Sequence, residues 1–363
     1  MGVRWTPADS AGQRARKVPR TLPAPPTAPD AMTAPPSQPT APPARDLLAL
    51  LAAHTAIPGK VLAAQLGVSR AAIWKQVEQL RAAGVAISAS NADGYRLDAP
   101  IELLDADAIT AALPTAMRRR LGELELHWRI DSTNSALLRR IDDGLPDRSV
   151  CLAELQSAGR GRRGRAWQMP LGGGLALSCH RICEGAMVRL AGLSLVAGLA
   201  ALDALADCGV EGVGLKWPND LFARDAKLGG ILVELGGEAL GPCHAVIGIG
   251  INLRLGAHAA QIDQRAIDVA ALAALPSRNQ LAARLIFRLD TMIDQFLRDG
   301  FAVFAARQAQ VDVLRGRDIE ILRGTRREQG VAAGVDPRGA LRVRFAEGEQ
   351  VIDSGEVSVR AKP

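Results

Sequence analysis

The chain has 363 residues, 48% of them apolar and 23% charged, enough for two or three domains with a sizeable core. Aromatic residues make up only 3%, which argues against a surface built mainly from base-stacking platforms. The formal charge of +6 suits a polyanionic partner.

Residues 1 to 44 are rich in Pro, Ala and Thr, as in "TLPAPPTAPDAMTAPPSQPTAPPA". Such a segment buries too little surface to offset its ordering entropy, so disorder is predicted. Met32 lies inside it as a second candidate start. "MGVRWTPADS" lacks a charged region followed by an apolar one, which argues against export. No run approaches the roughly 18 uninterrupted apolar residues of a membrane span.

At Arg45 the composition changes. "RDLLALLAAH" offers Leu47, Leu48, Leu50 and Leu51 to an amphipathic helix. A short helix is expected over Lys60–Leu66, a turn at Gly67-Val68, and a third helix capped by Ser69 and ended by Gly84. Ile73, Val77 and Leu80 share its inner face. "VAISASNADGYRL" then reads as two strands about an Asn91–Gly94 turn, the wing of a winged helix-turn-helix. In that arrangement Ser69, Arg70, Ala71, Trp74 and Lys75, with Gln76 alongside, face the major groove. A three-helix protein-interaction domain is the competing reading, and inward packing is the alternative for Trp74.

A second boundary falls near Pro100. "LELHWRI" alternates as a strand, and Asp131-Ser132-Thr133-Asn134 follows it. Those four residues can cap the next helix, and they also set hydroxyls and an amide at a strand end, where α/β sheets bind ligands. After the strand "SVCLAELQ" comes "GRGRRGRAW", Gly159–Trp167. Its glycines match a dinucleotide-binding fingerprint, but "RAWQMPLGGG" is no helix, so the Rossmann reading fails on context. An irregular Gly-Arg loop lets backbone amides approach a ligand, while guanidinium forks match phosphate oxygens. A disordered nucleic-acid tail is the bland competitor, yet this stretch lies between apolar strands.

"LAGLSLVAGLAALDALADCGV" predicts a buried helix. Lys216 ends a strand before the Trp217-Pro218-Asn219-Asp220 turn; a hairpin at Arg224-Asp225 returns the chain as "AKLGGILVEL", with Lys227 at its head. In "HAVIGIGINL", Gly248 and Gly250 are expected to clear room for a ligand, and Asn252 ends the strand. Each piece also has a purely structural reading; together they predict a cationic, glycine-lined cleft. Five cysteines, Cys151, Cys179, Cys183, Cys208 and Cys243, show a single CxxxC spacing. That set predicts reduced thiols in cytoplasm and no protein-held metal.

"GRGRRGRAW", "KWPNDL", "KLGGILVEL" and "GIGIN", in this order, resemble the biotin protein ligases, and with the preceding winged helix the bifunctional ligases that also repress a biotin operon. The resemblance runs from about Arg45 to Arg360. It implies an α/β (α+β) fold: a winged helix-turn-helix, a mixed-sheet ligase domain related to class II synthetases, and a small SH3-like β-barrel. The expected divisions are 1–44, 45–100, 101–312 and 313–363. It implies ATP, Mg2+ and biotin, with biotinyl-5′-AMP formed and its biotinyl group passed to a lysine on the biotin carboxyl carrier protein of acetyl-CoA carboxylase.

Carried over by motif, Ser132, Thr133, Asn134, Gln156, Arg160, Gly161, Arg162 and Lys216 bind biotin. Arg162, Arg163, Trp167, Lys227 and Asn252 hold the nucleotide; Asp220 is an indirect metal contact; Lys216, Arg162 and Arg160 are catalytic. Operator DNA and an adenylate-bound homodimer are the implied partners. One departure is the loop after "GIGIN", where the family often has a bulky apolar residue; "LRLGAHAAQIDQRAIDVAAL" is small and polar. A helix near Leu281–Phe296 and alternating "ALRVRF", with Leu341, Val343 and Phe345 on one face, complete the chain. A lipoate-type ligase, a biotin sensor without catalysis and a ligase without DNA binding are the alternatives.

Overall fold

The computed structural model describes residues 45–363 except 91, 239, 324–325, 354–357 and 362–363. The proline-rich segment and Asn91 of the wing turn therefore lie outside the described residues. Helices α1 (Arg45–Ala53), α2 (Gly59–Gln65) and α3 (Arg70–Ala82) come first. Leu47, Leu48, Leu51, Ile73, Val77 and Leu80 close their common core. Ser69 caps α3, its hydroxyl accepting from the Ala72 amide at 3.2 Å. Strands β1 (Ile87–Ser90) and β2 (Gly94–Leu97) pair antiparallel as the wing, and Ile57 bridges to Tyr95 beside them.

The chain from Ile101 to Asp105 leads into α4 (Ala106–Ala112) and α5 (Thr115–Arg120). Then come β3 (Leu124–Ile130), α6 (Thr133–Arg140), β4 (Val150–Gln156), β5 (Gly174–Cys183) and α7 (Leu193–Asp207). Strands β6 (Gly214–Lys216), β7 (Asp220–Ala223), β8 (Ala226–Gly237) and β9 (Cys243–Asn252) follow, then α8 (Arg278–Asp299) and α9 (Ala305–Val311). The seven strands form one mixed sheet in the order β3-β4-β5-β9-β8-β7-β6, in which β3 and β4 are parallel and the other pairs antiparallel. Buried residues of α7 and α8 share one large core with the sheet, while Ala136 and Leu137 of α6 pack with Val246 and Cys151 in a separate cluster.

The stretch Met187–Asp207, with mean hydropathy 1.7, is long and apolar enough to cross a membrane. It is apolar on all sides because α7 is a core helix: Leu195, Val196, Leu199 and Leu205 are all buried in the common core.

Strands β10 (Asp318–Arg323), β11 (Arg326–Val335), β12 (Leu341–Phe345), β13 (Gly348–Ile352) and β14 (Ser358–Ala361) form an antiparallel sheet ordered β13-β12-β11-β10-β14, as the SH3-like expectation requires. Leu341 and Val343 are buried, Arg342 and Arg344 exposed.

Candidate active site

The sheet's pairing brings several strand ends together at one end of the sheet. Gly174 opens β5 opposite Asn252, Gly230 of β8 lies opposite Gly250 and Asp220, and Asp220 pairs with Lys216. Beside them α6 begins. Ser132 caps it, accepting from the Ser135 amide at 3.5 Å. The Thr133 amide donates to Gln156 Oε1 at 2.9 Å. Ser178 Oγ lies 2.7 Å from Thr133 Oγ1 and 2.6 Å from Asn134 Oδ1. An amide oxygen only accepts, so the single Ser178 proton belongs to Asn134. Asn134 Nδ2 donates to the Leu232 carbonyl at 3.3 Å and to Glu234 at 2.8 Å. Ser132, Thr133 and Asn134 are all buried, and both ends of the Asn134 amide are engaged within the protein.

That arrangement changes the reading of two glycines. A Cβ on Gly248 would stand 2.2 Å from Asn134 Oδ1, and one on Gly250 would stand 2.4 Å from the Trp167 indole. Both spaces are filled by the protein's own side chains, not left open for a ligand as expected.

The Gly-Arg loop stays irregular, folded back on itself by Gly161 N–H donating to the Arg165 carbonyl at 2.7 Å and Trp167 N–H to that of Gly159 at 2.8 Å. Arg160 pairs with Glu234 at 2.7 Å, so one carboxylate ties the loop to Asn134. Arg162 donates to Asn219 Oδ1 at 3.2 Å. Burial is the main influence drawing the Arg162 pKa below the ordinary arginine value; the nearby Arg163 and Arg165 charges add to it and Asp220 opposes. An anion bound there would relieve that penalty. Arg163 itself is exposed at the loop tip, with φ +57°.

Lys216 is half-buried, its ammonium 4.9 Å from the centre of the Phe222 ring. The turn after it contains a cis Trp217–Pro218 bond. The turn is held by Ser194 Oγ donating to the Pro218 carbonyl at 3.0 Å and by Trp217 Nε1 donating to Gly339 O, also at 3.0 Å, from the C-terminal sheet. Lys227 pairs with Asp220 at 2.7 Å and lies 5.6 Å from the Trp167 ring centre. Asn252 Nδ2 donates to the Ile267 carbonyl at 3.2 Å. Asn252 Oδ1 and Trp167 Nε1 are buried without a hydrogen-bond partner among the described residues.

The 253–272 loop follows, small and polar as its sequence reads, yet firmly tied. Asp268 accepts from the Leu255 amide at 2.7 Å and the Ala271 amide at 3.0 Å, and the Lys227 amide donates to Arg265 O at 3.0 Å. Beside the cleft lies a cavity of about 750 Å³, whose walls include Val85, Ile101, Gln168, Leu171, Leu255 and His258. Outside the cleft, Glu125, His127 and Cys151 bring ligand-type atoms within 4.8 Å of one another. There Glu125 is held by Arg140 and by His127, and burial pushes the Cys151 thiol up to about 12.

The DNA-facing candidates sit together at the start of α3: Ser69, Arg70, Ala71, Trp74 and Lys75 are exposed, and Gln76 is half-buried. Trp74 is 60% exposed, so it does not pack inward. Sequence reasoning missed Ser178 and Glu234. A carboxylate within "GGILVEL" was the available signal for Glu234; Ser178 in a buried strand gave none.

Residues 126–252 match the biotin/lipoate A/B protein ligase family, residues 44–96 a helix-turn-helix domain, and residues 316–360 the biotin protein ligase C-terminal domain. Bifunctional ligase/repressor BirA of Salmonella typhimurium is 38% identical over 319 residues, covering 87% of this chain and 97% of the relative. The chain belongs to this family of bifunctional ligase/repressors. BirA of Escherichia coli strain K12 is 37% identical over 319 residues, 87% of this chain and 96% of that one. A solved structure, biotin protein ligase from Aquifex aeolicus in complex with biotin and ATP, aligns at a TM-score of 0.57 and 25% identity, over 66% of this chain and 99% of that one.

Proposed function

We propose that the protein is an ATP-dependent biotin ligase and an adenylate-dependent repressor. The biotin carboxylate attacks the α-phosphate of ATP, forming biotinyl-5′-AMP and releasing pyrophosphate. A lysine amine of a biotin carboxyl carrier protein, such as that of acetyl-CoA carboxylase, then attacks the mixed anhydride, forming an amide and releasing AMP. The observation that carries this reading is the gathering of Arg160, Arg162, Lys216 and Lys227 towards one end of the sheet in a member of this family.

Two anions must meet for the first bond to form, and fixed positive charge offsets their repulsion and the charge developing in the transition state. Arg160, Arg162 and Lys216 take that catalytic part. Ser132, Thr133, Asn134, Gln156 and Gly161 shape the biotin end; Asn134, whose amide is already engaged, acts there by holding Ser178 and Glu234. Arg163, Trp167, Lys227 and Asn252 serve the nucleotide. The unpartnered Asn252 Oδ1 and the Asp220 carboxylate are oxygen donors of the kind Mg2+ accepts. Mg2+ bound with ATP would neutralise phosphate charge. No thiol nucleophile is called for, and burial pushes Cys151, Cys179 and Cys183 each up to about 12. The five free cysteines suit a reducing cytoplasm.

The repressor half rests on α3, whose exposed Arg70 and Lys75 give a lone winged helix few contacts. Adenylate-driven dimerisation would present two such helices to two half-sites and raise affinity through effective concentration. The divisions 45–100, 101–312 and 313–363 are the working partition for this reading. The test combines biotin, MgATP and an acceptor domain, followed by sedimentation and gel shift with and without biotinyl-AMP. Acceptor biotinylation with ligand-strengthened dimerisation and DNA binding is expected. A monomer that binds DNA equally without ligand would remove the repressor half; consumption of lipoate in place of biotin would remove the ligase half.

A further inference from the structure

We infer that Trp74 makes this chain's DNA-reading helix specific for thymine, through the thymine C5-methyl group. The inference rests on the DNA-binding reading above and names what that surface recognises. The inner face of α3 is complete without the indole: Ile73, Val77 and Leu80 are fully buried, whereas Trp74 is 60% exposed. An amphipathic helix gains nothing from an aromatic side chain left in water, so a surface that covers the ring is the expected partner.

The surroundings select a nucleic acid for that partner. Arg70 stands one turn before Trp74 on α3 and Lys75 beside it, both exposed. Glu78, one turn after, is paired with Arg81 at 2.7 Å, which offsets its charge. An apolar plane flanked by cations fits a groove lined by phosphates, where a protein surface would have to supply matching carboxylates. Within the major groove every base edge presents donors or acceptors, and thymine alone adds an apolar methyl. The indole face suits that methyl, and its N–H remains available to an acceptor on the neighbouring base. Trp74 lies in the first half of α3, where a recognition helix meets base edges.

The experiment uses the full chain with biotin and MgATP to select from a randomised duplex pool, in parallel with Trp74→Asn and Trp74→Ala. These exposed substitutions leave the core intact, which circular dichroism and ligase activity would verify. The wild-type pool should enrich a thymine position that both variant pools lose. Replacing that thymine with deoxyuridine removes only the methyl, and should weaken wild-type binding about fourfold per contacted site while leaving the variants unchanged. Fourfold corresponds to about 0.8 kcal/mol for a buried methyl-sized group. Identical motifs from wild type and variants, or indifference to deoxyuridine, would overturn the inference and leave DNA binding standing. Variants that keep the motif but lose self-association would mark Trp74 as a protein contact. A wild-type pool without enrichment would bring down the DNA-binding reading and this inference together.

Discussion

Lys216 and Arg162 reach the same end of the sheet by different routes, one as the last residue of β6 and the other on a loop pinned to Asn219. Their expected contributions differ accordingly. Lys216→Gln keeps length and polarity but removes charge that matters most as the carboxylate meets the phosphate. Pyrophosphate release should fall far more than biotin affinity, measured by rapid quench and by calorimetry; an equal loss of both would make Lys216 a binding residue only. Gly248 offers a second residue-scale test. Alanine in place of glycine ordinarily helps a strand, but here its Cβ meets Asn134 Oδ1 at 2.2 Å. Gly248→Ala should therefore destabilise by about 1–3 kcal/mol in urea unfolding and weaken biotin binding. At this scale the sequence was partly legible. Motif spacing picked out the cations as candidates, but only tertiary pairing could reveal that the Asn134 amide engages Ser178 and Glu234, or that Gly248 and Gly250 make room for side chains of the protein itself.

The segment between the Gly-Arg loop and β5 acts as a strap joining distant elements. The Leu171 amide donates to Ala83 O at the end of α3, at 2.9 Å, and its side chain is buried in the winged-helix core. Two residues on, the Gly173 carbonyl accepts from the amides of Leu253 and Arg254 at 3.0 and 2.8 Å, anchoring the start of the 253–272 loop. Helix α3, the Gly-Arg loop and the 253–272 loop thus share one short stretch of chain. Leu171→Ala should cost about 2–5 kcal/mol, and proteolysis should show the winged helix loosened before the ligase sheet. If both regions lose protection together, the strap carries no separate junction. From sequence, "QMPLGGG" could be read only as something other than helix, because its partners lie some 80 residues away on either side and leave no local pattern. The 253–272 loop shows the opposite limit: its small polar composition was plain, while the tether through Asp268 was not.

At the scale of the molecule, α8 and the sheet behind it share one cluster of ion pairs. Asp290 and Asp294 hold Arg120 and Arg148, and Asp294 also takes Arg181 at 2.5 Å. Burial pushes Asp294 upward, yet these guanidinium groups together keep it below the ordinary carboxylate value of 3.8. His180, on β5, is held below 6.5 mainly by burial. Its Nδ1 faces the Pro146 carbonyl at 3.0 Å and so carries the proton, leaving Nε2 to accept from His244 Nδ1 at 2.9 Å. For both groups the unfolded chain takes up a proton before the folded one does. Stability should therefore be full above pH 6.5, decline first as His180 is forced to protonate, and fall again below pH 3.8. Urea titrations from pH 7 to 5 should show the first decline in the wild type and a flatter profile in His180→Gln; equal slopes would exonerate His180. If the partly buried Arg162 of the Gly-Arg loop holds the phosphate of the intermediate, the lifetime of the biotinyl-adenylate complex depends on it. With α-labelled ATP and biotin, the label should stay on the wild-type protein and leave Arg162→Ala roughly 30- to 700-fold faster, the equivalent of about 2–4 kcal/mol for a desolvated charge pair. An unchanged lifetime in Arg162→Ala would show that Arg162 does not hold that phosphate.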